Sequence, residues 1–169
     1  PMQFSPDCLY HAYNRGNDKQ RIFFQEKNYY FFLNKIKQDL PKLCDILAYC
    51  LMPNHFHLLI YVPDTCEGLN FIPNQNHQIL VRKLGTLLSS YSQAINKQEE
   101  KSGSLFQQKT KSKILGLDNY PTTCFHYIHQ NPLRANLVIN MEDWSYSSFQ
   151  DYLEGESNVC NIALARELL

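Results

Sequence analysis

One stretch narrows the possible folds of this chain more than any other: Tyr49-Cys50-Leu51-Met52-Pro53-Asn54-His55-Phe56-His57-Leu58-Leu59-Ile60-Tyr61-Val62. It reads as a hairpin of two apolar strands, 44–52 and 55–62, turned at Pro53-Asn54, residue types that punctuate such turns. His55 and His57 lie two apart on the second strand. Residues i and i+2 of a strand share a face, so both imidazoles project from one side, and Phe56 points into whatever packs behind. Two convergent imidazoles on a rigid strand begin a metal site, because histidine is the commonest metal ligand. On spacing alone, a pair of half-exposed histidines beside a hairpin fits equally well, and further ligands must come from elsewhere.

The chain has 169 residues, within the size of one domain able to bury a core without staples. We read residues 1–169 as a single domain, with 133–169 as a C-terminal extension. Hydrophobic residues make up 44% and charged residues 19%, the balance of an ordinary globular protein. Cys8, Cys44, Cys50, Cys66, Cys124 and Cys160 form no Cys-x-x-Cys pair. They read as reduced thiols of a cytoplasmic protein, which also argues against a structural zinc site. The longest aliphatic and aromatic run, Leu58 to Val62, is far short of a membrane span. No basic-apolar leader precedes Phe4. Net charge is zero, but the charge is unevenly placed. Through Lys113 there are 14 Lys and Arg against 9 Asp and Glu, and from Ile114 onward 2 against 7. A basic part can follow phosphate while an acidic tail restores neutrality.

Taken in order, Cys8 to Tyr13 is a strand running into a turn at Asn14-Arg15-Gly16-Asn17-Asp18. Arg15 and Gly16 stand where a backbone can approach a ligand; a plain turn with Gly16 at positive φ fits as well. Tyr29, Phe32, Leu33, Ile36 and Leu40 recur at helical spacing over 28–40, ended by Pro41. Residues 63–76 read as a loop containing Gly68. A long helix follows from about His77 to Glu100, stopped by Lys101-Ser102-Gly103-Ser104. Leu105 to Leu115 returns to strand character and sets Lys109, Lys111 and Lys113 at i, i+2 and i+4. That row suits a sugar-phosphate backbone; it equally suits an edge strand protected by lysines. Residues 118–131 read as a helix with Pro121 in its first turn and Pro132 just past its end. The order strand, helix, two strands, helix, strand, helix predicts an α+β sandwich with a mainly antiparallel sheet.

Tyr127 and Asn131, four apart, share a helix face. If that helix docks over the sheet face bearing His55 and His57, Asn131 completes a His-His-Asn site with Tyr127 one turn away. Such a set leaves coordination positions open for a phosphoryl oxygen. A phenol, with a pKa near ~10, attacks well only if its deprotonation is assisted.

The stretch 49–60, together with Tyr127-Ile128-His129-Gln130-Asn131-Pro132-Leu133-Arg134-Ala135-Asn136-Leu137-Val138, resembles the IS200-like tyrosine transposases. It is most similar to their branch associated with repetitive extragenic palindromes (REP). Asn14-Arg15-Gly16-Asn17, Ser104-Leu105-Phe106-Gln107-Gln108-Lys109 and Trp144-Ser145-Tyr146-Ser147-Ser148-Phe149 extend the match across roughly residues 8–153 in the family's order.

The resemblance implies a metal-dependent single-strand DNA endonuclease and strand transferase of the HUH class on an RRM/ferredoxin-like fold. His55, His57 and Asn131 match the metal ligands and Tyr127 the nucleophile. The implied cofactor is Mg or Mn. Imidazole chemistry by itself points to Zn, Ni or Mn, and hard oxygens from substrate phosphate and water reconcile the two. Arg15, Lys109, Lys111, Lys113 and Arg134 are candidate DNA contacts, and the partner is single-stranded or hairpin DNA met by a monomer or homodimer. His129 is expected to face away, His11 and His126 to lie near the site or in the core, and Trp144 and Phe149 to clamp the tail. A second reading is a domesticated palindrome-binding protein without transposition. A third, an RRM-type RNA binder, lacks its consensus here.

Overall fold

Four strands carry the apolar alternation: β1 (Cys8–Arg15), β2 (Asp45–Met52), β3 (His55–Val62) and β4 (Lys111–Leu115). In the computed structural model, which describes residues 2–64, 73–116 and 119–169 (side chains of the long helix from residue 78), they form one sheet ordered β2-β3-β1-β4. Every neighbouring pair is antiparallel. Helices α1 (Glu26–Asp39) and α2 (Pro73–Gln98) interleave with the strands to give βαββαβ, the ferredoxin-like arrangement expected from the sequence. Helix α3 (Tyr120–Arg134) and the short α4 (Phe149–Glu154) and α5 (Ile162–Leu168) follow.

Strand parity divides the core in two. Tyr10, Ala12, Phe56, Leu58 and Ile60 face one way and pack with Phe32 and Ile36 of α1 and Leu84, Leu87, Leu88 and Tyr91 of α2. Burying one such side chain is worth roughly 1.5–3 kcal/mol, so this face holds the helical layer firmly. Tyr91, fully buried, also donates its hydroxyl to the Ile22 carbonyl at 2.7 Å. On the opposite face Leu9, Ala48, Cys50, Met52 and Leu59 meet Cys124 and Ile128 of α3 and Ala165 of α5. His55 and His57 have the parity of Leu59, so the face they occupy is the one that α3 covers.

The residues after α3 close the outer edge of β2. Leu51 donates to the Tyr146 carbonyl (2.8 Å), Ser148 to Tyr49 (3.0 Å) and Asn161 to Ile46 (2.8 Å). Trp144 donates its indole N–H to the Leu51 carbonyl at 3.0 Å and stands edge-on to Tyr146, so it packs the tail as expected. β2 is thereby relieved of the unpaired backbone that makes an edge strand an aggregation template.

Four local expectations change. β4 is shorter than 105–115 because the chain before it bends across the end of β1. Gln107 donates to the Arg15 carbonyl at 2.8 Å, and Asn14 Nδ2 reaches Thr110 Oγ1 at 2.8 Å. These bonds take the place of a continuous ladder. Helix α2 starts at Pro73, so 73–76 belong to a helix and not a loop; proline suits a first turn, where its missing N–H costs nothing. The rest of that expected loop, 65–72 with Cys66 and Gly68, lies outside the described residues. Pro132 stands inside α3 and not past its end. Gly16 also differs from the positive-φ reading, since its φ is −58°. A Cβ there would sit 2.1 Å from the Gln20 carbonyl oxygen, so glycine is required by close approach of the chain to itself.

Candidate functional site

Antiparallel register sets the site out before any helix is added. β1 and β3 place Arg15 opposite His55 and Tyr13 opposite His57. β4 places Lys111 opposite Tyr13 and Lys113 opposite His11. All of these residues share parity, so imidazoles, phenol and cations rise from one face. α3 packs across β2 and β3 and sets the Tyr127 ring nearly perpendicular to those of His57 and His11, with centroids 5.6 and 6.1 Å away.

Asn131 follows one turn later, and its orientation has a local cause. Pro132 cannot donate to the Ile128 carbonyl. Asn131 Nδ2 instead donates to the Tyr127 carbonyl at 2.7 Å and reaches the Ile128 carbonyl at 3.5 Å. With its nitrogen committed to the helix, the amide has its oxygen left to offer, and the side chain meets His55.

The two imidazoles are prepared in the same sense. His55 Nδ1 lies 2.6 Å from Asn54 Oδ1; a carbonyl oxygen only accepts, so the proton sits on Nδ1 and Nε2 keeps its lone pair. His57 is 6% exposed, and its Nε2 is a buried polar atom with no hydrogen-bond partner. Burial, aided by His11, His55 and Arg15, pushes the His57 pKa down to about 2. Burial and Arg15 lower His55 to about 4, opposed by Asn131, which can accept the second N–H of the charged ring and so favours it. Both rings are neutral near pH 7, the form that ligates a metal. Among the described residues no three His, Cys, Asp or Glu gather as a metal cluster. Two neutral imidazoles and an amide oxygen, with one orphaned buried nitrogen, nonetheless fit a divalent cation with exchangeable positions.

The comparisons bear on this geometry. No protein-family model matches the chain. A Haemophilus influenzae protein bearing the name of a REP-associated tyrosine transposase is 22% identical over 130 residues, covering 74% of this chain and 73% of that one. A solved structure of a REP-associated tyrosine transposase bound to a REP hairpin superposes with a TM-score of 0.61 at 18% identity. It covers 93% of this chain and 86% of the other. This chain resembles the REP-associated tyrosine transposases.

Around the shared core of that transposase fold, the five candidate cations fall on two cavities that meet at His57 and Tyr127. Arg15, Lys109 and Lys111 line one, of about 330 Å³, with His55 and Asn14. Lys113 and Arg134 line the other, of about 670 Å³, with His11, Tyr120 and Gln130. Arg134 lies 5.8 Å from the centre of the Tyr127 ring. The lysine row therefore borders the site as well as the sheet edge. His129 turns away as expected and is buried with Nε2 2.8 Å from Ser148 Oγ. His126 lines the larger cavity, and Phe149 packs against His129.

Sequence reasoning left out Tyr13, Asn14 and Tyr120 and gave His11 no definite place. Counting back by twos from Arg15 along β1 would have found Tyr13 and His11, given the pairing of β1 with β3. Asn14 points to the other side, and nothing in its spacing announces that it pins the approach to β4.

Proposed function

We propose that this protein is a metal-dependent endonuclease and strand transferase acting on single-stranded or hairpin DNA through a covalent phosphotyrosine on Tyr127. The observation carrying the reading is the meeting, within one chain, of a partly exposed phenol with two neutral imidazoles, one of which keeps a buried nitrogen without a partner. The relatives named as tyrosine transposases and the relative bound to a REP hairpin support the same substrate class.

His55, His57 and Asn131 would hold Mg or Mn, which supplies Lewis-acid polarisation of a phosphoryl oxygen. Tyr127, 38% exposed, is open to a DNA strand. Its oxygen forms the bond to phosphorus while the bond from phosphorus to one sugar oxygen breaks, and that oxygen leaves as a hydroxyl once protonated. The phenolic proton goes to solvent. The phosphotyrosine retains the energy of the phosphodiester, so a second hydroxyl can reverse the exchange and rejoin DNA. Arg15, Lys109 and Lys111 on one side, and Lys113 and Arg134 on the other, provide positive charge along the strand in both directions from the reacting phosphate. One copy of the chain carries every group named.

The test is incubation with Mn²⁺ and end-labelled hairpin oligonucleotides. A protein-DNA adduct that survives denaturation is expected, and Tyr127→Phe should abolish it with affinity kept within a few-fold. An adduct formed by the Phe variant removes Tyr127 as nucleophile. Hairpin binding without any adduct from the native protein establishes the binding-only reading instead.

A further inference from the structure

The metal-binding reading above explains the free nitrogen of His57 but not what turns that nitrogen toward the site. The other ring nitrogen, Nδ1, lies 2.8 Å from Nε2 of His11. Both residues come from paired strands, with His11 opposite Leu59 and His57 opposite Tyr13, so they face each other diagonally across the ladder. Side chains at that diagonal are within reach when they are aromatic. His11 is itself held in place, its ring 4.7 Å from Tyr13 and 6.1 Å from Tyr127.

A single proton lies between the two nitrogens of this contact, and its position decides whether His57 can ligate. If His11 donates, neutral His57 must carry its proton on Nε2, which buries an N–H with no acceptor and blocks the lone pair. If His57 donates, Nε2 is bare, and the buried orphan is an acceptor. Buried donors without partners are the rarer of the two kinds of orphan, and only the second arrangement is completed by a cation. We infer that His11 is a positioning residue: it accepts the Nδ1 proton of His57, locking the tautomer and ring angle in which Nε2 faces the site. Partners of this kind on the far nitrogen of a ligating histidine typically change metal affinity by roughly 10–100-fold.

The inference rests on the proposed role of His57 as a ligand, and two measurements on the full chain keep the two apart. Long-range ¹⁵N–¹H spectra of the metal-free protein read the tautomer directly. His57 is expected to carry its proton on Nδ1 in the native protein and in His11→Gln, whose amide oxygen still accepts. His11→Phe, which keeps the ring but has no acceptor, should shift the proton to Nε2. Mn²⁺ titration followed by electron paramagnetic resonance should show His11→Phe weaker by roughly 10–100-fold, with His11→Gln recovering most of the loss and circular dichroism confirming that both fold. Native His57 protonated on Nε2, or a Phe variant with unchanged tautomer, overturns the role of His11. So does Mn²⁺ bound by that variant as tightly as by the native protein. No Mn²⁺ binding by native protein, with the expected tautomer present, overturns the metal reading and leaves the His11 assignment standing.

Discussion

Asn131 shows how a single side chain can be chosen for its donor as much as for its acceptor. A carboxylate would attract a divalent cation more strongly than an amide, but it cannot donate to the Tyr127 carbonyl 2.7 Å away. Asn131 is only 9% exposed, so an Asp there would hold a charge against two carbonyl oxygens. Asn131→Asp should therefore destabilise the metal-free protein by about 1–3 kcal/mol in urea unfolding; equal stability would mean that the amide nitrogen anchors nothing. Gly16 makes a steric version of the point. Its backbone angles suit any residue, yet a Cβ would collide with the backbone of Gln20. Gly16→Ala should cost about 1–3 kcal/mol by overpacking, visible as a lower thermal midpoint.

At the scale of elements, β4 and the lysine just before it carry charges that suit two jobs. β4 is an edge strand of the sheet among the described residues, where lysines discourage pairing with another chain. Its register also places Lys111 beside Tyr13 and Lys113 beside His11, on the side of the Tyr127 cavities. If Lys109, Lys111 and Lys113 each neutralise one phosphate of a single strand, replacing all three with Ala lowers the slope of log affinity against log salt by about 2. Fluorescence anisotropy with a hairpin oligonucleotide between low and moderate salt measures it, and an unchanged slope assigns the row to edge protection alone. α3 divides its faces similarly: Cys124 and Ile128 glue it to the sheet, while Tyr127 stands against the imidazole of His57 and Asn131 follows one turn later.

For the whole molecule, neutral histidines, buried at His57 and His129 and half-buried at His11 and His55, couple folding to pH. His11, His55 and His129 have pKa values lowered to about 4 and His57 to about 2, in each case chiefly by burial. In the unfolded chain they titrate near 6.5. Between about 6.5 and 4 the unfolded state binds more protons, so the stability these groups contribute is complete above 6.5 and declines as pH falls. The slope is roughly 1.4 kcal/mol per pH unit for each fully neutral group. Metal-free protein should show a falling thermal midpoint across that window, and His129→Gln, which keeps a partner for Ser148, should remove about one such share. A midpoint that stays flat down to pH 4 would contradict the neutrality of these rings.

What could be read without coordinates was whatever depends on spacing along one element. The period of two on β3 paired His55 with His57, and the period near four on α3 paired Tyr127 with Asn131. Alternating strand and helix patterns then implied an antiparallel α+β sandwich. The boundaries of β4, the internal Pro132 and the early start of α2 escaped, because each depends on bonds to distant residues or on end effects that local propensity does not encode. Above all, spacing is silent on which face of the sheet α3 covers and on what stands diagonal to His57. Those were decided only when the chain folded back, because strand pairing and two-sided burial join residues 40 to 100 positions apart through register, a property of the assembled sheet and of no single segment.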